Sequence, residues 1–345
     1  MIAKYFLSFS YILTFFGYNP HMMLLKKILL LSVVLSAFSN ATGCPHGNLS
    51  ADYCDENGDM LADPPADPSQ RIDPYELVFA YSPVEDPIVY KKAWHDFTEH
   101  LSRVTGKRVI FFPFQSNAAE IEAMRIGKLH VAGFNTGSVP RAVNCAGFHP
   151  VYMMGKADGS YGYEMEIITY PGSGIGSVKD IRGKTIVFTA PSSNSGFKAP
   201  TALLRDRFGL QKGKDYRYIF SGKHSNSILS VANQIYPLAT IANSVRKRIE
   251  KRGLFEGKKL KILYTSQTFP TTGLGYAHNL KPALVAKIEQ AFKTFQWRKK
   301  DGTPSSLLQE FSSSGYAQFI PANYKKDWEI IRNIDRESHA SEQCR

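Results

Sequence analysis

Apolar residues along this chain follow two periods. Short runs and alternations mark strands at 77–81, 108–113 and 129–133, and again at 165–170, 184–189, 216–220, 238–242 and 260–265. Between them apolar positions recur at helical spacing. Val89, Ala93, Trp94, Phe97 and Leu101 form one such stripe, which stops at Gly106. Further helices are expected at 120–126, 178–181, 198–208, 226–233 and 244–252, then at 282–295, 304–311 and 324–336. Strand and helix alternate, so the expected class is α/β, layered, with parallel strands. In such folds ligands sit beyond the carboxyl ends of strands, where helix N-termini leave backbone N–H groups unpaired.

Length and composition suit this picture. The 345 residues allow two domains of ordinary size, and 43% hydrophobic with 21% charged residues is a globular balance. The N-terminus adds a targeting signal: Lys26 and Lys27, an apolar run at 28–38, then Ser39, Asn40, Ala41, Thr42 and Gly43 before Cys44. We read 1–43 as a signal peptide, with Met22 or Met23 as the start of translation. Cleavage falls after Ala41 or before Cys44; the second would anchor the chain through a lipid on Cys44. Removing 1–43 takes away three lysines and no acid, so the formal charge of +12 falls to +9. A basic exported chain favours anionic partners or surfaces. Residues 44–71, acidic and Pro-rich around Asp63, Pro64, Pro65, Asp67 and Pro68, read as a tether.

Export permits disulfides. Cys44 and Cys54 are close enough in sequence to pair; Cys145 and Cys344 are far apart. No Cys/His spacing suggests a metal, and His95 and His100, five apart, do not share a helix face. No cofactor motif stands out.

One stretch carries chemistry. Residues 188–200, FTAPSSNSGFKAP, turn a strand into a helix through Ser192, Ser193, Asn194, Ser195 and Gly196. Side-chain donors there join the free N–H groups of the helix start, which suits a small anion. An ordinary N-cap uses the same residue types.

A second stretch, Phe220-Ser221-Gly222-Lys223-His224-Ser225-Asn226-Ser227, follows about thirty residues on. Together with Ile121-Glu122-Ala123-Met124-Arg125-Ile126-Gly127-Lys128 and Val178-Lys179-Asp180-Ile181-Arg182-Gly183-Lys184-Thr185, it resembles the phosphate/phosphite/phosphonate-binding family of periplasmic solute-binding proteins that serve ABC importers. The resemblance runs from about Leu77 to about Phe295. It implies a bilobal, type II-like binding protein, not an enzyme, in which two α/β lobes joined by two crossing strands close on a ligand. Lobe one would be 72–166 plus 275–345, and lobe two 167–274, with crossings at 165–169 and 268–273. The chain has no GxSxG, no HExxH and no convincing carboxylate pair.

By the same resemblance Ser193, Asn194 and Ser195 grip an oxyanion and His224 supports them. Two departures stand out. The family loop W-x-G-P-x-S-Y reads Gly133-Phe134-Asn135-Thr136-Gly137-Ser138-Val139 here, and Asn243 stands where an aspartate is usual. Losing two large aromatics should enlarge the cleft, and losing the carboxylate suits it less to an aminophosphonate. Tyr81, Phe134, Val139 and Phe197 offer apolar walls; Asn135, Thr136, Ser138, Asn194, Asn243 and Glu120 offer polar anchors. Three readings follow. One is a binder of a tetrahedral oxyanion. The second is a repurposed binder of a larger apolar ligand such as a sterol. The third is a sensor that docks on a membrane receptor, with Cys145 as a thiol for an arsenite-like ligand or, more simply, a buried small residue. Partners would be the small ligand and an inner-membrane permease or receptor, with the protein a periplasmic monomer.

The basic stretch Arg246, Lys247, Arg248, Lys251, Arg252, Lys258, Lys259 and Lys261 reads as a solvated helix face, or as a contact for anionic headgroups or the partner. An exported protein seldom meets nucleic acid, so that partner is set aside.

Overall fold

Eleven strands appear among the described residues, which in this computed structural model are 43–256, 259–337 and 344. The leader through residue 42 and Lys258 lie outside them. In chain order the strands are β1 (Glu76–Tyr81), β2 (Arg108–Phe111), β3 (Val131–Phe134), β4 (Phe148–Lys156), β5 (Tyr163–Thr169), β6 (Thr185–Phe188), β7 (Arg217–Phe220), β8 (Leu238–Ala242), β9 (Lys261–Phe269), β10 (Gly273–Ala277) and β11 (Tyr316–Pro321). They form two sheets, ordered β11-β4-β10-β3-β1-β2 and β7-β6-β8-β5-β9.

The parallel expectation holds for β2-β1-β3 and for β7-β6-β8. The rest of each sheet is antiparallel: β10 with β3 and β4, β11 with β4, and β5 with β8 and β9. The chain leaves the first sheet after Lys156 and returns between Phe269 and Gly273. The crossing expected at 165–169 therefore falls elsewhere, because β5 pairs along its whole length inside the second sheet. Its apolar residues Met165, Ile167 and Ile168 mark a strand and do not say which sheet it joins.

Local signals explain the helix starts. Asp86 accepts the Ile88 N–H before the helix Pro87–Ala93, and Ser116 accepts the Ala119 N–H before Asn117–Arg125. The first sheet packs on an aromatic core of Phe79, Trp94, Phe97, Phe292 and Phe311, each buried. Side chains of that size contribute about 1.5–3 kcal/mol each when removed from water. The second sheet buries Ile167, Ile186, Val187, Phe188, Leu238 and Ile241.

The segment read as a tether is instead packed down. Leu49 and Ala62 are buried, Ser50 N–H donates to Asn144 O at 2.8 Å, and the His149 ring bonds Ala62 O. Its acidic, Pro-rich composition hides a few apolar residues that find a surface. Pro45–Arg345 forms one compact unit. Cys145 and Cys344 are bonded to each other, and Cys44 is itself in a disulfide. A sulfur so engaged is free neither for arsenite at Cys145 nor for a thioether at Cys44, so both expectations are withdrawn. No helix among the described residues is long and apolar enough to cross a membrane.

Candidate functional site

The carboxyl ends of five strands converge on one small cavity. Its lining includes Tyr81 at the end of β1 and Val84 beyond it, Asn135 and Thr136 after β3, Ser193, Asn194 and Ser195 after β6, His224 after β7, Ala242 at the end of β8, and Ser244, Val245 and Arg248 beyond it. Met154, Tyr163, Thr271, Thr272 and Tyr316 complete it. The cavity measures about 50 Å³.

The turn after β6 carries its donors by local geometry. Ser193 is extended (φ −74°, ψ 129°), and the backbone then enters a wide π-type turn, Asn194–Lys198, before the helix Ala199–Phe208. Ser193 Oγ accepts the Gly196 N–H at 3.0 Å. Glycine is required there because a Cβ would collide with the Thr189 side chain.

His224 opens the helix His224–Ala232 and is buried. Its Nδ1 accepts the Ala242 backbone N–H at 3.1 Å. A backbone N–H can only donate, so Nδ1 is bare and Nε2 carries the proton. Burial, with Arg248 beside it, holds the imidazole down to about 3, so the ring is neutral. Nε2 stands 3.3 Å from Ser193 Oγ and donates to it. Both acceptor positions of that hydroxyl are then filled, by Gly196 and by His224. Its own hydrogen remains to be donated into the cavity.

The opposite wall is held from behind. Asn135 Oδ1 accepts the Ser138 N–H at 3.1 Å, and Asn135 N donates to Ser82 Oγ at 3.0 Å. Ser82 Oγ donates to Glu120 Oε2 at 2.8 Å. Burial pushes Glu120 up to about 8, so it is a neutral acid at neutral pH. Asn135 Nδ2 is buried without a hydrogen-bond partner, as is Asn194 Oδ1. Asn194 Nδ2 donates to Tyr163 OH at 3.2 Å, and the Tyr81 and Thr272 hydroxyls are 3.0 Å apart. Burial pushes the Tyr81 phenol up to about 12, so it stays protonated.

Arg248 is the lining residue that sequence reading placed wrongly. The basic stretch is not one solvated face. Lys247 is exposed, but Arg248 is 4% exposed, and Arg246 pairs with Glu166 at 2.7 Å. The signal was present: Ser244, Val245, Arg248 and Ile249 share one helix face, and all four are buried. Arg248 faces Glu85 and Glu310, each at 3.6 Å, while Arg252 meets Glu85 at 2.9 Å.

Of the candidates, Tyr81, Asn135, Thr136, Ser193, Asn194, Ser195 and His224 come together here. The others do not. Phe134 is a core residue set edge-on to Phe148, and Val139 is fully buried beside Gly273. Glu120 lies behind Ser82, and Asn243 pairs with Glu164. Ser138 and Phe197 line a separate wide groove of about 1130 Å³. The enlarged cleft expected from the loss of two loop aromatics is not found at the cavity. Tyr163, Met154 and Tyr316 also line the cavity, arriving from strands that the loop sequence does not mention.

Comparison with known proteins agrees with this geometry. A sequence model of the family described as "ABC transporter, phosphonate, periplasmic substrate-binding protein" matches residues 79–328. A phosphonates-binding periplasmic protein of Escherichia coli is 25% identical over 209 residues, covering 59% of this chain and 62% of its own length, so the match leaves more than a third of that relative unaligned. A phosphate-import protein of Mycolicibacterium smegmatis is 26% identical over 229 residues, covering 64% of this chain and 71% of its own. The crystal structure of a binding-protein component of an ABC phosphonate transporter from Pseudomonas aeruginosa shares the fold, with a TM-score of 0.68 at 22% identity over 78% of this chain and 88% of that one. With two α/β sheets meeting at a polar cavity and a family match over most of its length, this chain belongs to the periplasmic phosphonate substrate-binding proteins of ABC transporters.

Proposed function

We propose that this protein is an exported solute-binding protein that captures a tetrahedral oxyanion (phosphate, phosphite or an alkylphosphonate) between its two sheets and delivers it to an ABC-type permease. It binds its ligand and does no chemistry on it. One observation carries the reading: a cavity of about 50 Å³ lined by a buried guanidinium and by a Ser193 hydroxyl whose hydrogen is left spare because the Gly196 N–H and His224 Nε2 fill its acceptor positions. A single water needs about 10–15 Å³ of such space, so a five-atom anion is within reach. Drug-sized ligands take roughly 300 Å³ or more, which disfavours a sterol there. The relatives' described ligands, phosphonates and phosphate, point the same way.

A thermal-shift series on the purified protein tests this. The arms are phosphate, phosphite, methylphosphonate and sulfate, with cholesterol in mild detergent as the apolar arm. A ligand that binds only the folded state raises the midpoint by mass action. The expected result is a rise with a phosphorus oxyanion. A rise with cholesterol and none with any phosphorus oxyanion would overturn the reading.

A further inference from the structure

Arg248 holds the only full positive charge among the described residues that line the cavity, and no carboxylate is among them. His224 is neutral for the reasons given above. We propose that Arg248 is a specificity-determining residue, selecting a small anion without a positive group of its own over one that carries an ammonium. This deepens the oxyanion reading and rests on it.

The guanidinium has donors to spare. It carries five N–H groups. Nη1 reaches Ser314 Oγ at 3.1 Å and Ser244 O at 3.3 Å, and Nη2 reaches Tyr90 OH at 3.5 Å, the outer limit of a hydrogen bond. Nε is buried and makes no hydrogen bond. At least two N–H groups therefore make no hydrogen bond, one on Nε, which is shielded from the cavity, and one on Nη2. Both nitrogens stand near carboxylates but beyond hydrogen-bond distance: Nε is 3.6 Å from Glu310 and Nη2 is 3.6 Å from Glu85, which Arg252 holds closer at 2.9 Å. The Phe311 ring covers the guanidinium, with its centroid 5.1 Å from Cζ.

The carboxylates balance the charge in the folded protein, which lets a buried arginine persist. They stand at the guanidinium, not at the cavity wall. An anion in the cavity gains the attraction of the guanidinium's positive charge. An ammonium on the same ligand, confined to so small a space, meets like charge and no carboxylate.

Isothermal titration of the purified protein with phosphate, methylphosphonate and 2-aminoethylphosphonate tests this, using wild type, Arg248→Lys and Arg248→Gln. Wild type is expected to prefer the best of the first two over 2-aminoethylphosphonate by about 30-fold, the scale of one charge-assisted hydrogen bond. Arg248→Gln should weaken that best ligand by a similar factor and erase most of the preference. Arg248→Lys should fall between. Where Arg248→Gln fails to fold because Glu85 is left unpaired, the double variant Arg248→Gln/Glu85→Gln removes both charges and answers the same question. Wild-type preference for 2-aminoethylphosphonate, or unchanged affinity and preference in the glutamine variants, would overturn the role of Arg248 and leave the oxyanion reading standing. If wild type binds none of the three and phosphite gives no rise in the thermal-shift series, the oxyanion reading itself fails, and this inference with it.

Discussion

The two walls of the cavity are built by different means. The second-sheet wall is centred on a local unit: Ser193, Asn194 and Ser195 are consecutive, their donors are aimed by one turn and its backbone hydrogen bonds, and His224 and Arg248 join them from later turns. The first-sheet wall is assembled from afar. Tyr81, Asn135, Met154, Thr271, Thr272 and Tyr316 come from separate segments spread over most of the chain. The local wall offers donors, and the assembled wall sets size. Each wall also holds a buried group neutral, in opposite senses. Burial keeps His224 from gaining a proton and Glu120 from losing one.

The sharpest way to break this comparison is to strip the local wall. The double variant Ser193→Ala/Ser195→Ala should weaken methylphosphonate binding by about 4 kcal/mol, on the scale of two charge-assisted hydrogen bonds. Titration calorimetry reads the loss, and circular dichroism checks the fold, since Ser193 also caps its turn. Unchanged affinity would mean that the donors there are only caps.

The two buried groups separate by pH. Depressed in the folded state, His224 costs stability as pH falls from its ordinary value near 6.5 toward about 3. Glu120 is raised from 4.5 to about 8, so its contribution is full below 4.5 and is lost as pH rises through 8. Only Glu120 acts between pH 6.5 and 8. There the wild type should lose about 2 kcal/mol of unfolding free energy relative to Glu120→Gln, which cannot ionise. Urea denaturation at the two pH values measures this; parallel changes in both proteins would show that Glu120 ionises freely.

The smallest effect probes where the walls touch. A Cβ on Gly137 would press on Ser192 O and Asn194 N, where the loop after β3 meets the turn after β6. Gly137→Ala should weaken ligand binding by about 1 kcal/mol or somewhat more, as overpacking does. It should also reduce the ligand-induced compaction seen by small-angle scattering. Equal compaction in both proteins would mean that the walls approach without needing that glycine.

Legibility followed the same division. Strand–helix alternation, the SSNSG turn and His224 could be read because each is set by neighbours in sequence. The helix Val139–Ala146 and the strands β4, β10 and β11 were not foreseen. The tether was read from composition, although a few apolar residues decide where it lies. Arg248 was grouped with its basic neighbours, although its helical phase with Val245 and Ile249 placed it inside.

The sequence by itself determined the α/β alternation, the family and the donor-rich turn. Periodicity, capping and short-range hydrogen bonding act over a few residues, so they are written in local order. Only the tertiary structure decided the volume of the cavity, the burial of Arg248 against Glu85 and Glu310, and the bond between Cys145 and Cys344. Those depend on which distant segments share space, and the energy of a buried charge or a filled wall exists only once they do.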